Sequence, residues 1–279
     1  MLEIKNLSFS YDKHGKLFNN LDLGLQKGNI YGLLGKNGAG KTSLLKIMCG
    51  LLYAQEGAVK NGNFDVANRQ PQLLSDIYMI PEEFYLPDFK IDTYVDNFSK
   101  FYKKFDHKLF NDLIAEFEID RNKKLNNLSY GQKKKFIIAF AISSMCSIIL
   151  MDEPTNGLDI PSKSKFRKAI ASAINDERIF LISTHQVRDL ENLIDPVLII
   201  ENGKIIFNHN INNISNKLSF IKTENENQIS ENILYSEPIF GGQYLVTERN
   251  SQEESPIDFE ILFNAVLSDK NQITNFLKN

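Results

Sequence analysis

The sequence predicts an α/β fold built on a mostly parallel sheet, and three observations carry that prediction. Four short apolar runs, 30–34, 77–80, 148–151 and 179–182, have the length and unbroken hydrophobicity of strands buried on both faces. The first run ends in a glycine-rich stretch that leads directly into a segment with helical spacing. Between the second and third runs, residues 91–144 change to helical spacing throughout.

Taken in order, strand-like alternation runs from Leu2 to Phe9, and a second amphipathic stretch covers Leu17 to Leu25. Gln26-Lys27-Gly28-Asn29 reads as a turn before the buried strand Ile30 to Leu34. A helix is expected from about Lys41 to Cys49, stopped by Gly50. Pro81 closes the strand Ile77 to Ile80. Tyr94, Phe98, Phe101 and Phe105 fall on one helical face, and Leu109, Leu113, Ile114 and Phe117 on another. A further helix is expected from about Gln132 to Ser144, with Lys133 to Lys135 on a solvated face. A hairpin follows at 197–206, turning at Asn202-Gly203. Residues 208–232 are rich in Asn, Ser, Lys and Glu and read as a connection with little core of its own. Apolar content recovers at 239–246 and 257–266, which suggests a small α+β unit with a terminal helix near Asp258 to Leu267.

The composition bounds the function. With 279 residues and 42% hydrophobic content the chain can bury a large core. A net charge of −3 gives no general attraction to nucleic acid. Cys49 and Cys146 lie in apolar stretches and read as reduced core residues of a cytosolic protein. The segment Met1 to Lys5 does not read as a signal peptide, and no apolar run approaches the roughly 20 residues that span a bilayer. If the protein works at a membrane, other chains are expected to supply the spans.

Gly35-Lys36-Asn37-Gly38-Ala39-Gly40-Lys41-Thr42 fits G-x-x-x-x-G-K-[ST] at every fixed position, between a strand and a helix. Glycines let backbone N–H groups curl around a phosphate, and the helix N-terminus adds a favourable dipole. Lys41 is expected to neutralise phosphate oxygens, and Thr42, followed by Ser43, to offer its hydroxyl to Mg²⁺. The plain alternative, a glycine-rich turn with a chance lysine, does not account for the strand and helix around it. Asp152 falls where the strand 148–151 leaves the sheet, placed to hold Mg²⁺, and Glu153 can face an attacking water as general base. Leu128-Ser129-Tyr130-Gly131-Gln132 has no evident task within one subunit.

Together these segments resemble the ATP-binding-cassette (ABC) ATPases of the bacterial ABC-2-like exporter branch. Leu128 to Gln132 looks like the family signature, with Tyr130 where glycine is commonest, and Ile148 to Glu153 occupies the Walker B position. Asn156-Gly157-Leu158-Asp159 is similar to the D-loop, His185 stands at the switch-histidine position, and Tyr11 matches the aromatic that stacks on adenine. Glu82 stands where most cassettes carry a glutamine, and glutamate there is similar to many exporter-type cassettes. The resemblance covers residues 2 to about 207.

The resemblance implies a P-loop NTPase with a RecA-like core, an antiparallel β subdomain and a helical subdomain at about 84–145, followed by an accessory extension at 208–279. It implies an ATPase using ATP and Mg²⁺. Two cassettes, alike or different, would pack head to tail, so that Ser129, Gly131 and Gln132 meet the nucleotide held by the partner. It also implies separate transmembrane permease subunits, no nucleic acid, and a peripheral position on the inner face of the cell membrane. A non-transport ABC ATPase acting in translation or DNA maintenance is the second reading, and a plain P-loop kinase or GTPase the third.

Overall fold

The computed structural model describes residues 1–12, 15–224, 232–249, 255–268 and 272–278. The chain opens with β1 (Leu2–Phe9) and β2 (Phe18–Leu25). In β2, Leu21, Leu23 and Leu25 point inward and alternate with exposed Asp22 and Gly24, as one buried face requires. With β4 (Glu56–Asn61) and β5 (Phe64–Asp65) these form an antiparallel sheet ordered β2-β1-β4-β5.

Six strands make the central sheet. They are β3 (Asn29–Leu34), β6 (Ile77–Ile80), β7 (Ile148–Asp152), β8 (Ile179–Thr184), β9 (Val197–Glu201) and β10 (Lys204–His209), ordered β10-β9-β3-β8-β7-β6. All pairings are parallel except β9 with β10. Every residue of β7 and β8 is buried, which is why they read as continuous apolar runs. The β9–β10 hairpin turns at Asn202 and Gly203, both at positive φ, and a side chain at Gly203 would collide with the Leu17 carbonyl.

Helix α1 (Lys41–Met48) follows β3, and the short α2 (Pro71–Leu74) precedes β6. The helical region holds α3 (Ile91–Phe98), α4 (His107–Glu116) and α5 (Tyr130–Ser143). Its core is aromatic, with Tyr94, Phe105, Phe110 and Phe136 packed around Phe140. Two expectations fail here. The face drawn through Tyr94, Phe98, Phe101 and Phe105 is not one helix: α3 ends at Phe98, and Asp106 caps a new helix by accepting from the Leu109 N–H. Phe105 therefore reaches Phe140 from a loop, while Phe101 is exposed. Lys134, expected in solvent, is fully buried. Helix α5 is enclosed on nearly all sides from its second turn on, so its lysines are not a free stripe.

After α6 (Ile160–Ala173) and the central sheet come α7 (Ile211–Lys217), β11 (Leu218–Thr223), β12 (Ile233–Ile239), β13 (Gly242–Glu248), α8 (Phe259–Ser268) and α9 (Gln272–Lys278). The three strands form an antiparallel sheet ordered β11-β13-β12. The low-core reading of 208–232 is corrected for its described part. Asn210 caps α7, and Ile214, Leu218 and Phe220 are buried in the same cluster as Val246, Leu262 and Val266. Those few apolar residues are set among polar ones that face outward, so composition alone hid them. Residues 225–231 of that stretch lie outside the described residues. Among the described residues no helix is long and apolar enough to cross a membrane.

Candidate nucleotide site

The glycine-rich loop leaves the carboxyl end of β3 and enters α1. Gly38 and Gly40 hold positive φ, and a Cβ at Gly40 would stand 2.8 Å from the Phe18 ring. Glycine is thus required there by both backbone and space. No side chain caps α1, so its first N–H groups are left for a ligand. Lys41 is buried, and its Nζ donates to the Gly35 carbonyl at 2.7 Å and the Lys36 carbonyl at 3.4 Å. It lies 3.8 Å from Glu153 Oε1. Burial lowers the Lys41 pKa, opposed by the charges of Glu153, Asp152 and Glu82.

Strand order brings the acidic pair to this amine. Asp152 ends β7, and Glu153 follows at φ 46°, an uncommon backbone region for a non-glycine residue. The Asp152 oxygens accept from Thr42 Oγ1 and Ser183 Oγ, each at 2.5 Å. Glu153 Oε2 accepts from Thr184 Oγ1 at 3.0 Å. Its Oε1 accepts from the His185 N–H at 3.0 Å and lies 2.8 Å from His185 Nδ1. Asp152 and Glu153 are almost completely buried, and every carboxylate oxygen has a partner within one subunit.

Lys41, Thr42, Asp152 and Glu153 line a cleft of about 520 Å³ that also takes in Tyr11, Leu17, Lys36, Asn37, Gly38, Gly40, Ser43 and Glu82. The Tyr11 ring is largely exposed, stands edge-on to Phe9 and shares a 2.8 Å hydrogen bond with Ser43 Oγ. Glu82 is exposed, and its Oε1 accepts from Asn156 Nδ2 at 3.0 Å. Gly35 and Ala39 belong to the loop without lining the cleft, and His185 reaches it through Glu153.

The remaining expected site residues lie elsewhere. Ser129 and Gln132 form a reciprocal capping box at the start of α5, with Gly131 between them. This corrects the reading that the segment lacks a task in its own subunit. Asp159 caps α6 by accepting from the Ser162 N–H at 2.8 Å and does not line the cleft. The sequence singles out the segment Ser183-Thr184-His185 for sensing the terminal phosphate, but not Leu17, nor the contacts by which the Ser183 and Thr184 hydroxyls hold the two carboxylates. Those contacts follow only from the sheet order, since Asp152 pairs with Ser183 across β7 and β8.

Comparison with known proteins agrees with this geometry. The family model described as "ABC transporter" matches residues 18–156. The ABC transporter ATP-binding protein YtrB of Bacillus subtilis is 27% identical, over 74% of this chain and 70% of its own length. The Nod factor export ATP-binding protein I of Cupriavidus metallidurans is 27% identical, over 74% of this chain and 70% of its own. A solved dimeric post-hydrolysis state of the ATP-binding cassette MJ0796 shares the fold. Its TM-score is 0.66 at 20% identity, covering 76% of this chain and 99% of that one. These relatives bear out the transporter reading rather than the translation or DNA-maintenance one. With a matching family model, such relatives and a fold in common, the chain belongs to the ABC transporter family, as an ATP-binding, ATP-hydrolysing subunit.

Proposed function

We propose that this subunit binds MgATP in the β3–β7–β8 cleft, closes on a second cassette across two ATP molecules, and powers export through a separate membrane permease. The convergence of Lys41, Thr42, Asp152 and Glu153 at the carboxyl ends of adjacent strands carries this reading. Lys41 would exchange the Gly35 carbonyl for phosphate oxygens, and the open N-terminus of α1 would receive the same group. Tyr11 offers an exposed ring face to adenine.

The donor set suits Mg²⁺. Thr42 Oγ1 and Asp152 Oδ2 are hard oxygen ligands that already touch. Among the described residues no group of three or more His, Cys, Asp and Glu could hold an ion unaided, which fits an ion held jointly with substrate phosphates. Thr42 and Asp152 would hold it, and when bound it supplies positive charge against the phosphate oxygens. Glu153, fixed by Thr184 and His185, would accept the proton of the attacking water. His185 would hold Glu153 in place and contact the terminal phosphate.

Ser129 is compatible with a role across the dimer. Its oxygen accepts from the Gln132 N–H, which leaves the hydroxyl hydrogen free to donate to a partner's γ-phosphate. The Gly131 N–H and Asp159 would join at that shared surface. Tyr85, Phe89 and Phe101, exposed on the helical region, would meet a short cytoplasmic helix of the permease. That contact would keep the subunit on the inner face of the membrane. Export is supported by Glu82 and by the Nod factor export relative.

The test is Glu153→Gln with ATP, followed by light scattering and by detergent extraction of native membranes. The variant should bind ATP, fail to release phosphate, accumulate as a dimer and carry a polytopic membrane protein with it. Wild-type turnover would remove Glu153 as the base. A closed dimer whose bound partners are ribosomes or DNA would remove the transport reading.

A further inference from the structure

Tyr130 occupies the signature position where glycine is commonest, and the nucleotide reading above gives its side chain no part. Its ring lies over Phe84, with centroids 6.1 Å apart and planes 28° apart. Its hydroxyl donates to the Glu82 backbone carbonyl at 3.0 Å. Lys134, one turn further along α5, donates to that same carbonyl at 3.0 Å. The Lys134 amine also sits 5.5 Å from the Phe84 ring centre and 5.7 Å from that of Tyr130. Both lone pairs of one carbonyl oxygen are thus engaged from a single helix, beneath two aromatic faces. The Glu82 carboxylate extends from this grip to Asn156 Nδ2 at 3.0 Å, and the Asn156 N–H donates to the Glu153 carbonyl at 3.3 Å. The ring also rests on Gly157, where a Cβ would stand 2.7 Å from it.

We propose that Tyr130 is a positioning residue for ATP hydrolysis: with Lys134 it grips the Glu82 carbonyl and so fixes the Glu82 carboxylate at the cleft rim. The proposal rests on the reading that Glu82 belongs to the nucleotide site. A glycine at this position would supply neither the hydroxyl nor the ring that shields the Lys134 amine. The grip acts on the end of the cleft where Glu153 sits. Lys41, Tyr11 and the glycine loop hold the nucleotide without it. Loss of the grip should therefore slow turnover and leave ATP affinity in place.

The test is steady-state ATP hydrolysis by the full chain with varied MgATP, using Tyr130→Phe, Glu82→Ala and the double variant. Tyr130→Phe keeps the ring and removes one hydrogen bond from a half-exposed side chain, so the fold should persist. It should lower kcat about three- to tenfold, the effect of one lost hydrogen bond, with KM for ATP within about twofold. In the Glu82→Ala background the same change should have no further effect. Losses that multiply in the double variant, or a Tyr130→Phe enzyme with wild-type kcat, would overturn the positioning role. If Glu82→Ala itself turned over like wild type, the placement of Glu82 in the nucleotide site would fall, and the proposal with it. If Glu82→Ala lowered kcat while Tyr130→Phe did not, the Tyr130 role alone would fall.

Discussion

The cleft at the ends of β3, β7 and β8 and the amino-terminal end of α5 both carry motif residues, yet they are built differently. In the cleft, Lys41, Asp152 and Glu153 are buried, and each is hydrogen-bonded within one subunit. At the start of α5, Ser129 and Tyr130 are exposed, and so, at 84%, is Ile160, the first residue of α6. A buried ion set of this kind is kept because its members compensate one another. An exposed helix end with apolar side chains around it is a surface that can accept a partner. On the proposed reading, the difference separates residues that would act on their own nucleotide from residues that would act only after two chains meet.

The largest expected effect would break the cleft itself. Lys41→Ala removes the cation that lies 3.8 Å from the Glu153 carboxylate and, on the proposed reading, a donor from the phosphate site. Loss of one such donor lowers kcat about 10²- to 10³-fold, and binding of a fluorescent ATP analogue should fall with it. Turnover within about tenfold of wild type would mean that the loop N–H groups carry the charge without Lys41.

That cleft was legible from sequence because its parts are local. The strand, the glycines and the helix lie within 30–48, and Asp152 and Glu153 directly follow an apolar run. What was not legible depends on contacts between distant segments. Lys134 reads as a surface lysine until Glu82, 52 residues earlier, brings its carbonyl and Phe84 beside it. That Ser183 and Thr184 hold Asp152 and Glu153 becomes visible only once β8 lies between β3 and β7. Ile214, Leu218 and Phe220 were masked by polar neighbours, since a sparse apolar set becomes a core only once β13 and α8 cover it. The break between α3 and α4 was missed because the aromatic spacing continues through it, while the Asp106 cap that ends it is a single residue.

The second prediction sharpens the comparison at Ser129. Aspartate is as good an N-cap as serine, whereas alanine is not. Ser129→Ala should destabilise the chain by about 1 kcal/mol, a fall of roughly 2–4 °C in Tm for a chain of this size. Ser129→Asp should keep the Tm and still abolish the ATP-dependent dimer, because a carboxylate would face the partner's γ-phosphate. Differential scanning calorimetry and light scattering read the two effects separately. A dimer that survives Ser129→Asp would leave the segment with its capping task alone.

The smallest effect concerns Asp159, which the sequence placed with the nucleotide and the structure places at the cap of α6. Hydrogen bonds from the Ser162 hydroxyl and N–H, the largest causes, lower its pKa below the ordinary 3.8. The unfolded carboxylate binds its proton first as pH falls, so the cap contributes fully above about pH 4 and is lost as pH drops through the lower folded value. Asparagine caps comparably without ionising. In urea titrations the wild type should therefore lose more stability than Asp159→Asn between pH 5 and 3, with the two alike at pH 7. Parallel losses would show that the carboxylate charge adds nothing at this cap. An unchanged ATP-dependent dimer in Asp159→Asn would then leave α6 capping as the whole of its role, whereas a weakened dimer at pH 7 would return it to the shared surface that Ser129 faces.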